Sequence, residues 1–287
     1  MPRSLVALVL LMASAQAGLA DVQAGIAALD KGDFEAAAAD FKEAYEGGNA
    51  DGAFYLGRMF ELGLGTDPDL GRAAELFRVA SDGGSALGMN RFGLMFIEGQ
   101  GMIRDFEEGA KLVCKAAEMG EPNGKFNCGA LLLDGRGLPA DPERARKLWA
   151  EAAADGHIAA ANLLATAYKT GQGIDKDPVK AFELFQANAE RGNALGLYEA
   201  ALALRDGSGT DKDPVQAYVY ANIAAAMMHP DAPKLRDDIE ATRSKEQVAE
   251  GQKRARTWVE DSQKRAAEAM SKAVASEPAS EPAAEGN

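Results

Sequence analysis

The sequence predicts an all-α fold: a right-handed α-solenoid of helix–turn–helix repeats with a helical C-terminal cap. Three observations predict it. Glycine recurs every 36 residues in three columns: Gly63, Gly99, Gly135, Gly171 and Gly207; Gly65, Gly101, Gly137, Gly173 and Gly209; Gly48, Gly84, Gly120, Gly156 and Gly192. An aspartate column keeps the same period through Asp69, Asp105, Asp141, Asp177 and Asp213. Between these markers the apolar residues follow a helical spacing, so each unit reads as two helices that must stack on neighbouring units to bury their apolar faces.

The first twenty residues read as a secretory signal peptide. Arg3 precedes an uninterrupted apolar run of eight, Leu5–Met12, and then a string of small residues. That order of basic, apolar and small segments is the signal pattern, with cleavage expected after Ala17 or Ala20. A run of eight is too short to cross a bilayer, and no later apolar run reaches the roughly 18–20 residues that a span needs. The expected location is the periplasm.

Repeat one sets the pattern of residues 49–228. Its first helix, Ala50 to about Leu62, places Ala53, Leu56, Gly57 and Phe60 on one face. Gly57 and its column partners Gly93, Gly129, Ala165 and Ala201 are small, as a close approach of two helix backbones requires. The Gly63-x-Gly65 pair then stops the helix, because glycine accepts the left-handed C-cap conformation. Asp67-Pro68, Asp141-Pro142, Asp177-Pro178 and Asp213-Pro214 are read as the next starts, with Asp as N-cap and Pro at the first position. The second helix is expected to bury Ala73, Leu76, Phe77 and Ala80 and to end at Gly83-Gly84.

After the repeats, Tyr218–Met228 is halted by His229-Pro230. Lys234–Arg243 and Ser244–Met270 read as capping helices within residues 229–272, the second opening with a Ser244/Gln247 capping box. Residues 273–287, with Glu-Pro-Ala repeated, have the composition of a disordered tail.

The unit read from Asn49 to Gly83, N-A-x-x-A-x-x-L-G-x-x-F-x-x-G-x-G-x-x-x-D-x-x-x-A-x-x-L-F-x-x-A-x-x-G, resembles the Sel1-like repeat, a cousin of the tetratricopeptide repeat. The resemblance covers five units and implies the solenoid fold. Residues 21–48 resemble a tetratricopeptide-like capping helix pair, with a tight turn at Ala28–Phe34 and no Gly-x-Gly insertion. In function the resemblance implies a scaffold: relatives include periplasmic regulators of sensor kinases and exopolysaccharide assembly factors. Cysteine-rich relatives are linked to β-lactam binding or hydrolysis, so a β-lactamase-like or cell-wall-fragment-binding protein is the alternative. Those relatives carry a cysteine pair in nearly every unit, placed across the helix–turn–helix junction at positions matching Ala117 and Lys125. Here the one pair is Cys114 and Cys128, one helical turn further from the same turn. A disulfide between them and two separate thiols both remain open at this point.

Composition narrows the chemistry. Of 287 residues, Lys plus Arg number 31 against 44 for Asp plus Glu, a net charge of −13, which disfavours nucleic acid as a partner. Two Cys and two His make no zinc cluster. His157 lies in the column of Asn49, Ser85, Glu121 and Asn193 and reads as a turn cap; His229 reads as a helix end. The Gly-x-Gly pairs follow helices rather than strands, so they are not dinucleotide loops. No catalytic, cofactor or metal set emerges, and the expectation is a non-enzyme.

The tetratricopeptide alignment puts Phe54, Arg58 and Glu61 on the inner face of the repeats. The Phe54 column continues as Asn90, Phe126, Asn162 and Tyr198, and the Arg58 column includes Leu94. Alternating rings and amides suit an extended protein or peptide partner, with amides pairing with its backbone and rings covering its side chains. The sequence says nothing of the oligomeric state.

Overall fold

A computed structural model describes residues 22–172 and 174–275. The expected signal peptide and the last twelve residues of the expected tail lie outside them, as does Gly173 of the glycine columns. All regular structure among the described residues is helical. Residues 22–30 form α1, followed by α2 (Phe34–Glu46), α3 (Ala50–Leu62), α4 (Leu70–Asp82), α5 (Ala86–Glu98), α6 (Phe106–Glu118) and α7 (Pro122–Asp134). Then come α8 (Pro142–Ala154), α9 (Ile158–Thr170), α10 (Pro178–Glu190), α11 (Ala194–Asp206), α12 (Pro214–Ala226), α13 (Ala232–Glu240) and α14 (Lys245–Ala275).

Local chemistry sets the helix ends. Asp69, Asp105, Asp141, Asp177 and Asp213 each accept backbone N–H groups at a helix start. In the first repeat the cap is therefore Asp69, not Asp67 of the Asp67-Pro68 pair. Pro68 instead packs beside Gly63, and Leu70 takes the first helical position. Gly63, at φ 68°, closes α3 in the left-handed region. The column Gly48 to Gly192 continues into a sixth member that is not glycine: Met228 stands there at φ 64° and ends the turn after α12. This is why the helix stops at Ala226, two residues short of Met228. The Ser244/Gln247 capping box forms reciprocally, at 3.1 and 3.3 Å. The helix it opens runs to Ala275, so residues 273–275, expected in the tail, are helical.

The chain divides into two compact units, Met1–Ala160 and Ala161–Asn287. In the first unit, small clusters bridge successive helices. One joins Ala73, Ala74, Phe77 and Met95; another joins Val113, Cys128 and Leu132 among others. The Phe77 column is the true core column: Phe77, Val113, Trp149 and, in the second unit, Phe185 are at most 7% exposed. The Leu76 column, one residue and about 100° round the helix, is half-buried at Leu76, Leu112, Leu148 and Leu184. The small first-helix column does bring backbones together. A Cβ on Gly93 would lie 2.7 Å from the Gly109 carbonyl oxygen.

The second unit has one continuous core from Ala165 to Ala255. There α14 packs on α12 through Gly251, whose missing Cβ leaves room for the Tyr218 ring. The Tyr218 hydroxyl donates to Glu240 at 3.0 Å and accepts from Gln252 at 3.4 Å, tying α12, α13 and α14 together.

Candidate functional site

The first-helix faces carry the site residues, and the structure treats them unequally. In the first unit, Arg58 and Arg91 both bind the Glu61 carboxylate, whose side chain is 7% exposed, and Arg91 Nε donates to it at 2.6 Å. Arg58 is thus held in an ion-pair triad across α3 and α5. Phe54 packs on Phe77 and Tyr55, with ring centroids 5.8 and 5.1 Å apart. Leu94 is half-buried against the cluster around Val113. Asn90 is 8% exposed, and its Oδ1 accepts from Asn127 Nδ2 at 3.0 Å. In the second unit, Asn162 stands mid-ladder. Asn188 donates to its oxygen at 2.8 Å, and its own amide donates to Asn193 at 3.1 Å. Asn193 also caps α11 by accepting from Gly196 N. These amides spend their hydrogen bonds inside the repeats.

The aromatic members behave differently. Phe126 is half-buried beside Trp149, Ala152 and Ala160, and Trp149 Nε1 donates to its carbonyl at 3.0 Å. One face of its ring stacks on His157, with centroids 4.6 Å apart and planes 22° apart. In the second unit Tyr198 stacks on His229 in the same way, at 4.2 Å and 17°. In both pairs the imidazole comes from the turn 31 residues later. Read alone, each histidine is a local cap, and the sequence reading missed this partnership. A signal was present, since His229 is the next member of the His157 column after Asn193.

Each imidazole is oriented by its own backbone. His157 Nδ1 accepts from Ala160 N at 3.1 Å, and His229 Nδ1 accepts from Asp231 N at 3.3 Å. An accepting Nδ1 carries no proton, so the neutral ring bears its hydrogen on Nε2. Each pair therefore offers a flat apolar face with one N–H donor at its edge, which suits a ligand carbonyl lying beside an apolar side chain.

Burial holds the His157 pKa below its ordinary value, against a smaller opposing pull from the Glu121 carboxylate. The sign of the pH effect follows. A folded pKa below the unfolded 6.5 means that stability is complete above about pH 6.5 and is lost as pH falls through the window beneath it. The midpoint of thermal unfolding is expected to fall more between pH 7.5 and 5.5 for the native protein than for His157→Asn. Asparagine is the cap that this column uses at Asn49 and Asn193, and it cannot be protonated. Parallel pH profiles for the two proteins would remove His157 from the account.

Cys114 and Cys128 are joined, with Cα atoms 4.9 Å apart, tying α6 to α7. A cavity of about 690 Å³ lies between α12, α13 and α14, and none of the ring-pair residues lines it. Among the described residues no group of three His, Cys, Asp or Glu side chains could hold a metal ion, and no helix is long and apolar enough to cross a membrane.

The Sel1 repeat profile matches residues 50–85, 86–121, 122–157, 158–193 and 194–227. Among solved structures, the chain is similar to a protective antigen present in uropathogenic Escherichia coli strains, which displays an SLR fold. The TM-score is 0.71 and the identity 24%, covering 89% of this chain and 54% of the antigen, so the chain spans about half of that protein's length. It is also similar to a Sel1 repeat protein from Oxalobacter formigenes, with TM-score 0.65, 22% identity and coverage of 84% and 96% of the two chains. At such identities the likeness is one of fold. A comparison with curated proteins finds no match. The repeats account for more than half of the sequence, and the chain belongs to the Sel1 repeat family.

Proposed function

We propose that this protein is a non-catalytic periplasmic scaffold that holds a protein or peptide segment against its first-helix faces, in envelope signalling or exopolysaccharide assembly. The observation that carries the reading is the recurrence of one device. A half-buried ring stacked on an imidazole occupies the same register at Phe126/His157 in one unit and at Tyr198/His229 in the other. Neither pair is needed by the repeat fold, which places amides at Asn90 and Asn162 in that column. The Cys114–Cys128 bond supports an oxidising compartment, as does the N-terminal segment. N-terminal sequencing of the exported protein tests this, expecting Gly18 or Asp21 as the first residue.

The binding test pairs two substitutions. Phe126→Ala is expected to weaken capture of the partner from a periplasmic extract by about 2 kcal/mol, a central anchor's share. Its melting midpoint should fall less than that of Phe77→Ala, because Phe126 is only half-buried. If Phe126→Ala melts as low as Phe77→Ala while its folded fraction binds normally, the ring is structural and the reading fails. The cysteine pair at the junction used by the cysteine-rich relatives gives the rival reading its one support. Nitrocefin turnover abolished by a point substitution would establish that rival.

A further inference from the structure

The loop joining the two helices of a repeat must leave a glycine C-cap and deliver an aspartate N-cap. Four of the five loops do so with polar residues or proline at most positions: Asp-Pro-Asp-Leu at 67–70, Pro-Ala-Asp-Pro at 139–142, and Asp-Lys-Asp-Pro at both 175–178 and 211–214. The second repeat reads Ile-Arg-Asp-Phe at 103–106. Its Asp105 still caps α6, accepting from Glu107 and Glu108 N at 3.0 Å, so the fold is served. The rest of the departure is left to explain. Ile103 is 88% exposed and Phe106 38%. The Arg104 guanidinium lies 5.6 Å from the Phe106 ring centroid. Arg136, from the next loop, lies 5.9 Å from the same ring, and the other repeats put Leu64, Gln100, Gln172 and Ser208 at its position. Ile103, Phe106 and Arg136 therefore depart from the other repeats, while Arg104 keeps the basic character of Lys176 and Lys212 and lies with Arg136 by the Phe106 ring.

The chemistry of the patch selects its ligand. An exposed isoleucine and a partly exposed ring three residues apart both gain by apolar contact. A guanidinium stacked on a ring keeps its N–H edge free for a carboxylate, which it can bind in bidentate fashion. The local carboxylates are largely engaged: Asp134 with Arg136 at 3.6 Å, Glu108 with Lys111 at 3.3 Å, and Asp105 in its cap. Glu107 is the exposed exception. Arg104 has no ion-pair partner among the described residues. Screening at physiological salt confines charge effects to about 8 Å, so these neighbours matter more here than the net charge of −13.

We propose that this loop edge docks a partner segment in which an apolar side chain neighbours a carboxylate. The apolar group packs on Ile103 and Phe106, and the carboxylate pairs with Arg104. This surface is separate from the ring pairs and does not depend on them. The test uses the full chain and an array of tetrapeptides combining Leu or Phe with Glu, each beside its Gln counterpart, followed by anisotropy titration of the best binder. The double substitution Ile103→Asp with Arg104→Lys recreates the Asp-Lys-Asp of two other loops, so it leaves the fold intact.

The Glu peptides are expected to bind at least tenfold more tightly than the Gln series. The double substitution should lose at least tenfold, and Phe126→Ala should change nothing. The proposal is overturned if no Glu peptide binds, if the Gln series binds equally, or if the double substitution binds undiminished. It is equally overturned if light scattering shows a dimer that the double substitution dissolves, since the occupant would then be a second copy of the chain.

Discussion

Phe77→Ala is expected to cost about 3–5 kcal/mol of stability, the range for removing a fully buried ring. Phe77 has no exposed surface. Its ring lies where a Cβ on Gly57 would come within 2.8 Å, against the glycine gap of α3, and packs on Phe54. Of its buried cluster only Met95 is large and flexible enough to refill part of the space. The neighbouring core members Ala73 and Ala74 are small, and α3 is already in close contact through Gly57. The denaturant midpoint of the purified substitution should fall sharply with little change in slope. A loss under about 1 kcal/mol would mean that α3 and α4 can collapse together, contrary to a tightly packed pair.

The second large effect belongs to the disulfide. Cys114 and Cys128 close a loop of sequence separation 14, and the chain-entropy model assigns about 3 kcal/mol to a loop of that size. The double substitution Cys114→Ser with Cys128→Ser adds a cost, because position 128 is fully buried and would receive a hydroxyl. Reduction of the native protein is therefore the cleaner measurement, and the double substitution is expected to lose more than reduction does. If reduction leaves the urea midpoint where it was, residual structure across α6 and α7 must already restrict the unfolded chain.

The helix boundaries were legible in the sequence because their determinants are local. A left-handed glycine and an aspartate cap act within four residues, which is why Ala50–Leu62 could be placed from Asn49 and Gly63 alone. Asp67-Pro68 misled because two aspartates compete two residues apart, and only Asp69 has the column's register. The site was harder to read, since its partners lie about thirty residues apart. That Asn90 would turn inward to Asn127, or that Arg58 would be held by Glu61 together with Arg91, depends on how successive repeats are offset. The aromatic column was visible, but its imidazole partners were not, because a histidine in a turn has a sufficient local explanation as a cap.

One spacing recurs at the loop glycines. The missing Cβ of Gly65 faces Phe34; that of Gly101 faces the Leu70 carbonyl, that of Gly137 the Phe106 carbonyl, and that of Gly209 the Pro178 carbonyl. Every one of these contacts reaches back to the opening residue of the preceding second helix. Three of them touch backbone carbonyl oxygen, which is the same whatever side chain stands there. Even the N-terminal helix pair, which has no Gly-x-Gly of its own, presents Phe34 to the loop that follows. That one contact between neighbours is therefore indifferent to the side chain of either. A gene that duplicates or deletes one whole repeat keeps this glycine contact by copying alone, whereas pair-specific links such as Glu61–Arg91 and Cys114–Cys128 would be lost or rebuilt.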